Sequence, residues 1–288
     1  MNRFSAKEYN YKILFSSNNN IDIYPYLVDS TGDKSIYSIG PLHGRSFIVS
    51  CKGDRYIVSK GNGLSYTQYD FLFTGGLSSL GDDTLGLLLL EDATRDFLVG
   101  QDVAKLGVKI NRMECVIELD KKLFLPNGHI LNPILLQYSV ECPYRICDAP
   151  FMDQQLLCLE IEKWERYNTK NYRKKHLIAA DVMINNLRVM HDNNILHNAI
   201  HEQNYTWALE LLDFELGRTP NHPYKKSDYE RHVPSLYHRE LFQTYVIINY
   251  IAWVLNEEIS YKEIDNLFAE YGFNIQKYKL KENYYGKN

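Results

Sequence analysis

The chain has 288 residues and a formal net charge of −4, long enough for one two-lobed domain or two small ones with a sizeable core. The weakly acidic balance speaks against a general nucleic-acid or anionic-membrane role. Five scattered cysteines with no CxxC pair speak against a disulfide framework or a cysteine zinc site.

In chain order, the N-terminal stretch Met1 to Tyr11 is polar and lacks the apolar core of a signal peptide, so a cytoplasmic location is expected. The runs 35–39 and 45–50 are β-branched and aromatic and are split by Gly40-Pro41-Leu42-His43-Gly44; a third run, 55–59, follows the turn Lys52-Gly53-Asp54. Together they predict an antiparallel meander. Asp83 is the expected N-cap of a helix running to about Lys105, with a stripe of Leu87, Leu90, Thr94, Phe97, Leu98 and Val103 at near-helical spacing and Gly107 as its stop. Two more strands, 113–119 and 134–140, flank the turn signal Asn127-Gly128. The segment 141–150 holds two prolines and reads as a linker.

The remainder is predicted mostly helical: 152–167, 174–192, about 235–255, and 261–271, with a loop over 193–204 and a short β-prone run at 207–212. The apolar stretch 245–255 is too short to span a bilayer and reads as a buried helix. The tail beyond Lys277 is charged and expected to be loose. Strands, one helix, two strands, a linker and then helices is the element order of a protein-kinase domain. The expectation is therefore an α+β, bilobal, protein-kinase-like fold. Residues 1–140 would form a small antiparallel-sheet lobe with one helix, 141–150 a hinge, and 151–288 a mostly helical lobe.

Chemistry on ATP in such a cleft needs a glycine turn over the phosphates, a strand lysine held by an acid, and oxygen ligands for the metal. Gly40 and Gly44 are the turn candidates, although a plain β-turn explains them equally and Pro41 removes a donor. Lys60 closes the third strand and would meet phosphates as a point charge; alone it would read as a surface lysine. Asp96 is its candidate partner, with Glu91 as the alternative. Downstream, the loop from His197 to Asn204 and then Asp213-Phe214-Glu215 fit the two ends of the kinase pattern H-x-D-x-x-x-x-N followed by D-F-G. Asn204 and Asp213 are hard oxygen ligands suited to Mg²⁺. Ala199 stands where the usual catalytic aspartate would be, and a methyl group accepts no proton. His197 and His201 have the i, i+4 spacing of zinc ligands, but their loop setting and the lack of HExxH make structural roles the better reading.

These residues carry a resemblance. The stretch Tyr56 to Thr67, with Lys60-Gly61-Asn62-Gly63 and Tyr66, resembles the motif L-K-G-A-G-x-T-P-Y-S of the SelO (selenoprotein O) pseudokinases. Thr94-Arg95-Asp96-Phe97-Leu98 and Leu106-Gly107-Val108 resemble that family's I-R-E-[FY]-L and L-G-I, and His197–Asn204 resembles H-G-V-M-N-T-D-N. The nine-residue step from Asn204 to Asp213 matches too. The resemblance implies ATP bound in a flipped orientation with Mg²⁺ or Mn²⁺, and transfer of AMP to hydroxyl side chains of a protein. It implies that Lys60 contacts phosphates, that Asp96 holds Lys60, that Asn204 and Asp213 bind the metal, and that Arg145 contacts the nucleotide. The sequence departs from the family at Gln203, where the family has its proposed base, leaving Glu202 as the candidate base. It departs again near Gln137, where the family has a second arginine, and it lacks the family's long C-terminal part. Phosphoryl transfer and nucleotide binding without catalysis are the other two readings.

Overall fold

In a computed structural model, the structure describes residues 1–39, 46–63, 86–124, 130–223 and 233–275. The chain divides into two compact units. One comprises residues 1–101, 111–144 and 150–152, and the other 102–110, 145–149 and 153–288.

The first unit is built on an eight-stranded antiparallel sheet. Its strands are β1 (Asn2–Glu8), β2 (Tyr11–Ser16), β3 (Tyr26–Val28), β4 (Lys34–Ser38), β5 (Ser46–Lys52), β6 (Arg55–Lys60), β7 (Arg112–Leu119) and, after the small pair β8 (Leu123–Phe124) and β9 (Ile130–Leu131), β10 (Ile134–Val140). They lie in the order β2-β7-β10-β6-β5-β4-β1-β3. The five strands expected from the sequence are β4, β5, β6, β7 and β10. The three before them were not expected. In β1, Phe4 and Ala6 alternate with exposed Arg3, Ser5 and Lys7. Only two small or aromatic residues face inward there, too few to stand out in a polar stretch.

The sheet curls over itself. Leu27 of β3 packs against Cys115, Ile117, Leu119 and Leu135 from the other half of the sheet, with Ile21 and Ile23 beside them. Phe4, Ala6, Ile36 and Phe47 form a second cluster. Each Leu, Ile or Phe side chain so buried contributes roughly 1.5–3 kcal/mol. Gln137 of β10 fastens the connecting segment, accepting from the Tyr24 backbone N–H at 3.2 Å and donating to its carbonyl at 2.6 Å.

One helix, α1 (Leu90–Lys105), stands between β6 and β7. It starts later than expected. Leu87 and Leu88 are buried in the approach to it, while Leu90 is exposed; the Asp83 cap lies outside the described residues. Ala93, Phe97, Val99 and Val103 form its buried stripe. A side chain at Gly100 would meet Met113 of β7, so glycine sets how closely helix and sheet approach. The expected stop holds: Gly107 takes φ +77°, a left-handed value suited to glycine.

The turn after β6 carries a sharper constraint. Gly61 has φ +99°, and a Cβ there would sit 2.4 Å from the Ile134 carbonyl oxygen, a backbone atom of the neighbouring strand. Strain and collision add, so Gly61→Ala is expected to cost about 2–5 kcal/mol in urea unfolding. Gly53→Ala, at φ +63° with nothing within 4 Å, is the control and should cost about 1 kcal/mol. Equal losses at the two positions would show that the collision is absent.

The second unit is helical: α2 (Gln154–Glu162), α3 (Lys175–Asp192), α4 (Val233–Val254) and α5 (Tyr261–Glu270). The Asp153 side chain caps α2, accepting from the N–H groups of Gln155 and Leu156. Lys163–Tyr167 continues α2 as a 3₁₀ turn, which accounts for the longer helix expected there. Glu257 serves α3 from outside, accepting from the Lys175 and His176 N–H groups at 2.7 and 2.9 Å. Ile247, Ile248, Ile251 and Ala252 bury the C-terminal part of α4. No helix among the described residues is long and apolar enough to cross a membrane.

The expected linker 141–150 contains points where the chain passes from one unit to the other, at 144/145 and 149/150, and it is well packed. Cys142, Ile146, Cys147, Asp148 and Ala149 are buried, and Ile146–Phe151 forms a 3₁₀ turn. Its prolines suggested a connector, and its apolar residues account for the packing. The β-prone run 207–212 is a tight hairpin, not a strand. Thr206 and Glu210 close it through Thr206 N–H to Glu210 O at 3.0 Å, and Leu209 takes φ +62°. The Thr206 hydroxyl accepts from the Ala208 and Glu210 N–H groups, supplying a turn signal in the sequence.

Candidate functional site

The first unit pairs two buried charges. Lys60 is the last residue of β6, between Ser46 of β5 and Leu136 of β10. Asp96 sits on the buried side of α1. Their exposures are 3% and 2%, and Lys60 Nζ lies 3.4 Å from Asp96 Oδ2. Taking both charges out of water costs several kcal/mol, which mutual attraction only partly offsets. A fold seeking stability alone gains little from such a pair, so its presence marks a candidate site. Glu91, the alternative partner, is exposed. Gly40 and Gly44, the expected phosphate turn, lie outside the described residues. Gln137, where the family resemblance would place a second arginine, is spent on the Tyr24 backbone.

The second unit builds a loop around Asn204. The hairpin of residues 205–211 returns the chain, so that the Leu212 N–H donates to the Asn204 carbonyl at 2.8 Å. Asn204 and Asp213 thus stand at the base of one hairpin, and that closure explains the nine-residue step. The Asn204 Nδ2 donates to the Ala199 carbonyl at 2.9 Å. With its amino group committed there, the amide's oxygen is the end left to act as a ligand. Ala199 therefore contributes its backbone, whatever its side chain lacks.

His197 is fully buried and locked by its own loop. Its Nε2–H donates to the Leu212 carbonyl at 2.7 Å, and its Nδ1 accepts from the Ala199 N–H at 3.2 Å. Both nitrogens are used, so it holds no zinc. Burial pushes its pKa below the ordinary histidine value and keeps the ring neutral. The ring packs 4.8 Å from that of Phe214. His201 caps the short turn Glu202–Asn204, accepting from the Gln203 N–H at 3.2 Å; burial lowers its pKa as well.

Asp213 takes φ +67°, a left-handed conformation that aspartate tolerates better than most residues. It is half-buried. Asp213 and Glu215 offer carboxylate oxygens within 4.8 Å of each other. An amide oxygen and two carboxylates are the donor set of a hard divalent cation such as Mg²⁺ or Mn²⁺. Glu215 was not expected as a ligand. The signal was an acid at the third position of the D-F-G pattern. Glu202 is half-buried and Gln203 exposed.

Arg145 is 9% exposed, and its Nη1 donates to the Gln203 carbonyl at 2.9 Å. Its backbone N–H donates to Asp148 at 2.8 Å. Burial pushes the neighbouring Cys147 thiol, and Cys115 in the other unit, up to about 12, so neither is a thiolate at neutral pH. All five cysteines are free.

Sequence reasoning missed Glu240. This α4 residue is 1% exposed, accepts from the Asn198 N–H at 2.6 Å and meets His191 Nε2 at 2.8 Å. It ties the loop, whose Asn198 has φ +65°, to two helices. His191, in the last turn of α3, pairs across to α4. A carboxylate inside a long apolar helix was the available signal.

No known family model matches the chain, and no curated protein matches it. Among solved structures it is similar to the crystal structure of a Toxoplasma gondii specific rhoptry antigen kinase domain, at 9% identity and a TM-score of 0.40, over 85% of this chain and 77% of that one. A likeness of that size fixes neither fold relationship nor activity.

Proposed function

We propose that this chain is a kinase-like, ATP- and Mg²⁺-dependent transferase that moves AMP from ATP onto Ser, Thr or Tyr hydroxyls of a protein. One observation carries the reading: each unit separately assembles half of the required chemistry. The first holds a buried ammonium–carboxylate pair, Lys60 and Asp96. The second sets Asn204 and Asp213 at the base of one hairpin. The reading requires that the two halves serve the same triphosphate.

Lys60 would neutralise phosphate charge, with Asp96 keeping the ammonium in place. Asn204 and Asp213, joined by Glu215, would hold the cation. When bound, that cation would stabilise charge growing on the α-phosphate and on the leaving pyrophosphate. The substrate hydroxyl oxygen would bond to the α-phosphorus as the bond to the β-phosphate oxygen breaks. Glu202 would take the hydroxyl proton, and pyrophosphate would leave with the electron pair. The methyl group of Ala199 disfavours ordinary phosphoryl transfer, which uses a carboxylate at that place.

Incubation with ATP labelled at either the α- or the γ-phosphate separates the readings. The expected result is protein labelled only by the α-label. Labelling only by the γ-label would replace this reading with a phosphoryl-transferring kinase. ATP binding with neither label transferred would make the chain a nucleotide-binding protein without catalysis.

A further inference from the structure

Arg145 brackets Asn204 from both sides. Its own backbone pairs with Thr206, and the Ile146 N–H donates to the Tyr205 carbonyl at 2.8 Å, so the chain is zipped to the two residues that follow Asn204. Its side chain then turns back, and Nη1 donates to the carbonyl of Gln203, the residue just before Asn204. Asp148, fully buried, fixes the Arg145 N–H and thereby the origin of that side chain. Asn204 itself is tied at further points: its N–H to the His201 carbonyl, its carbonyl to the Leu212 N–H, and its amide nitrogen to the Ala199 carbonyl and to His201 Nε2 at 3.3 Å. Among these ties the Arg145 guanidinium is the charged one, and it acts on the peptide group that sets the direction of the Asn204 side chain.

We infer that Arg145 is a positioning residue for the cation site: it fixes the Gln203–Asn204 peptide so that the Asn204 amide oxygen is aimed before any ligand arrives. This rests on the cation role proposed for Asn204. It differs from the nucleotide contact implied by the family resemblance, because here the guanidinium is engaged by the protein's own backbone. Arginine suits this role because its planar fork stays charged and loses little freedom in making a directed bond. A group that orients a cation ligand typically tunes cation affinity by about 10–100-fold.

The test uses the full chain with Arg145→Met and Arg145→Lys. Mn²⁺ binding to the ATP-loaded protein is followed by electron paramagnetic resonance, and ATP binding is measured separately in EDTA. The expected result is a Mn²⁺ dissociation constant raised about 10-fold in Arg145→Met and less in Arg145→Lys, with ATP affinity in EDTA unchanged. Faster hydrogen exchange at the Leu212 amide, which is bonded to Asn204, should accompany it in Arg145→Met without any ligand. A fall in ATP affinity in EDTA with Mn²⁺ affinity intact would overturn the inference in favour of direct phosphate contact. A lowered melting temperature with both affinities intact would reduce Arg145 to a structural role. If the wild-type chain bound neither ATP nor Mn²⁺, the proposed function would fail, and this inference with it.

Discussion

Lys60→Met is expected to lower ATP affinity about 100-fold and to abolish nucleotide transfer. Losing a charged contact to phosphate removes on the order of 1.5–3 kcal/mol, and losing charge stabilisation at the reacting phosphate removes more. The same substitution also harms the fold. It removes the ammonium group 3.4 Å from Asp96, which is 2% exposed, and breaking a buried pair on one side costs about 3–5 kcal/mol. A failed single variant would therefore say little about function. The double variant Lys60→Met with Asp96→Leu separates the two effects. Removing both charges and filling the space with apolar atoms is often neutral or stabilising, so urea unfolding should return most of the stability lost in the single variant. ATP affinity, measured by titration calorimetry, should not return. A stable double variant that binds ATP as tightly as the wild type would show that this pair serves packing alone.

How much was legible in the sequence follows from which forces act locally. The five central strands and Gly107 showed themselves because alternation and turn chemistry act over a few residues. The Lys60–Asp96 pairing was legible although 36 residues separate the two, because the kinase-like element order asks for an acid on the helix after the lysine strand; Lys60 alone would have read as a surface residue. Asn204 and Asp213 stood out through the kinase-like pattern of their residues, H-x-D-x-x-x-x-N followed by D-F. What stayed hidden depends on distant partners. Strand β1 turns only Phe4 and Ala6 inward, and the segment around β3 is held by partners far along the chain: Gln137 bonds the Tyr24 backbone, and Cys115, Ile117, Leu119 and Leu135 pack against Leu27. The packing of the 3₁₀ turn after Arg145 was hidden because proline punctuates linkers and buried turns alike. Glu240 was hidden by its apolar surroundings, since hydropathy averages a lone carboxylate away. The Arg145–Gln203 bond spans 58 residues, and no local pattern announces it.

Asp213→Asn is expected to remove cation-dependent nucleotide binding while leaving the folded state nearly intact. Asparagine has the shape of aspartate and tolerates the φ of +67° found at this position, so the hairpin from Asn204 to Leu212 should close as before. What disappears is a full negative charge from a site where two carboxylates come within 4.8 Å of each other, and a hard divalent cation depends on charged oxygen. In the wild type, ATP with Mn²⁺ at about 100 times its dissociation constant should raise unfolding stability by about 2.7 kcal/mol. In Asp213→Asn that gain should vanish, while stability without ligand moves by less than about 1 kcal/mol. Asp213→Val is the counter-variant. A β-branched side chain at a left-handed φ is strained by about 1–3 kcal/mol, so it should lose stability even without ligand. If Asp213→Asn kept the full Mn²⁺-dependent gain, the cation would have to bind elsewhere. If the asparagine variant lost as much ligand-free stability as the valine variant, Asp213 would matter through its charge in the fold, because asparagine keeps the shape and a polar side chain and adds no β-branched strain.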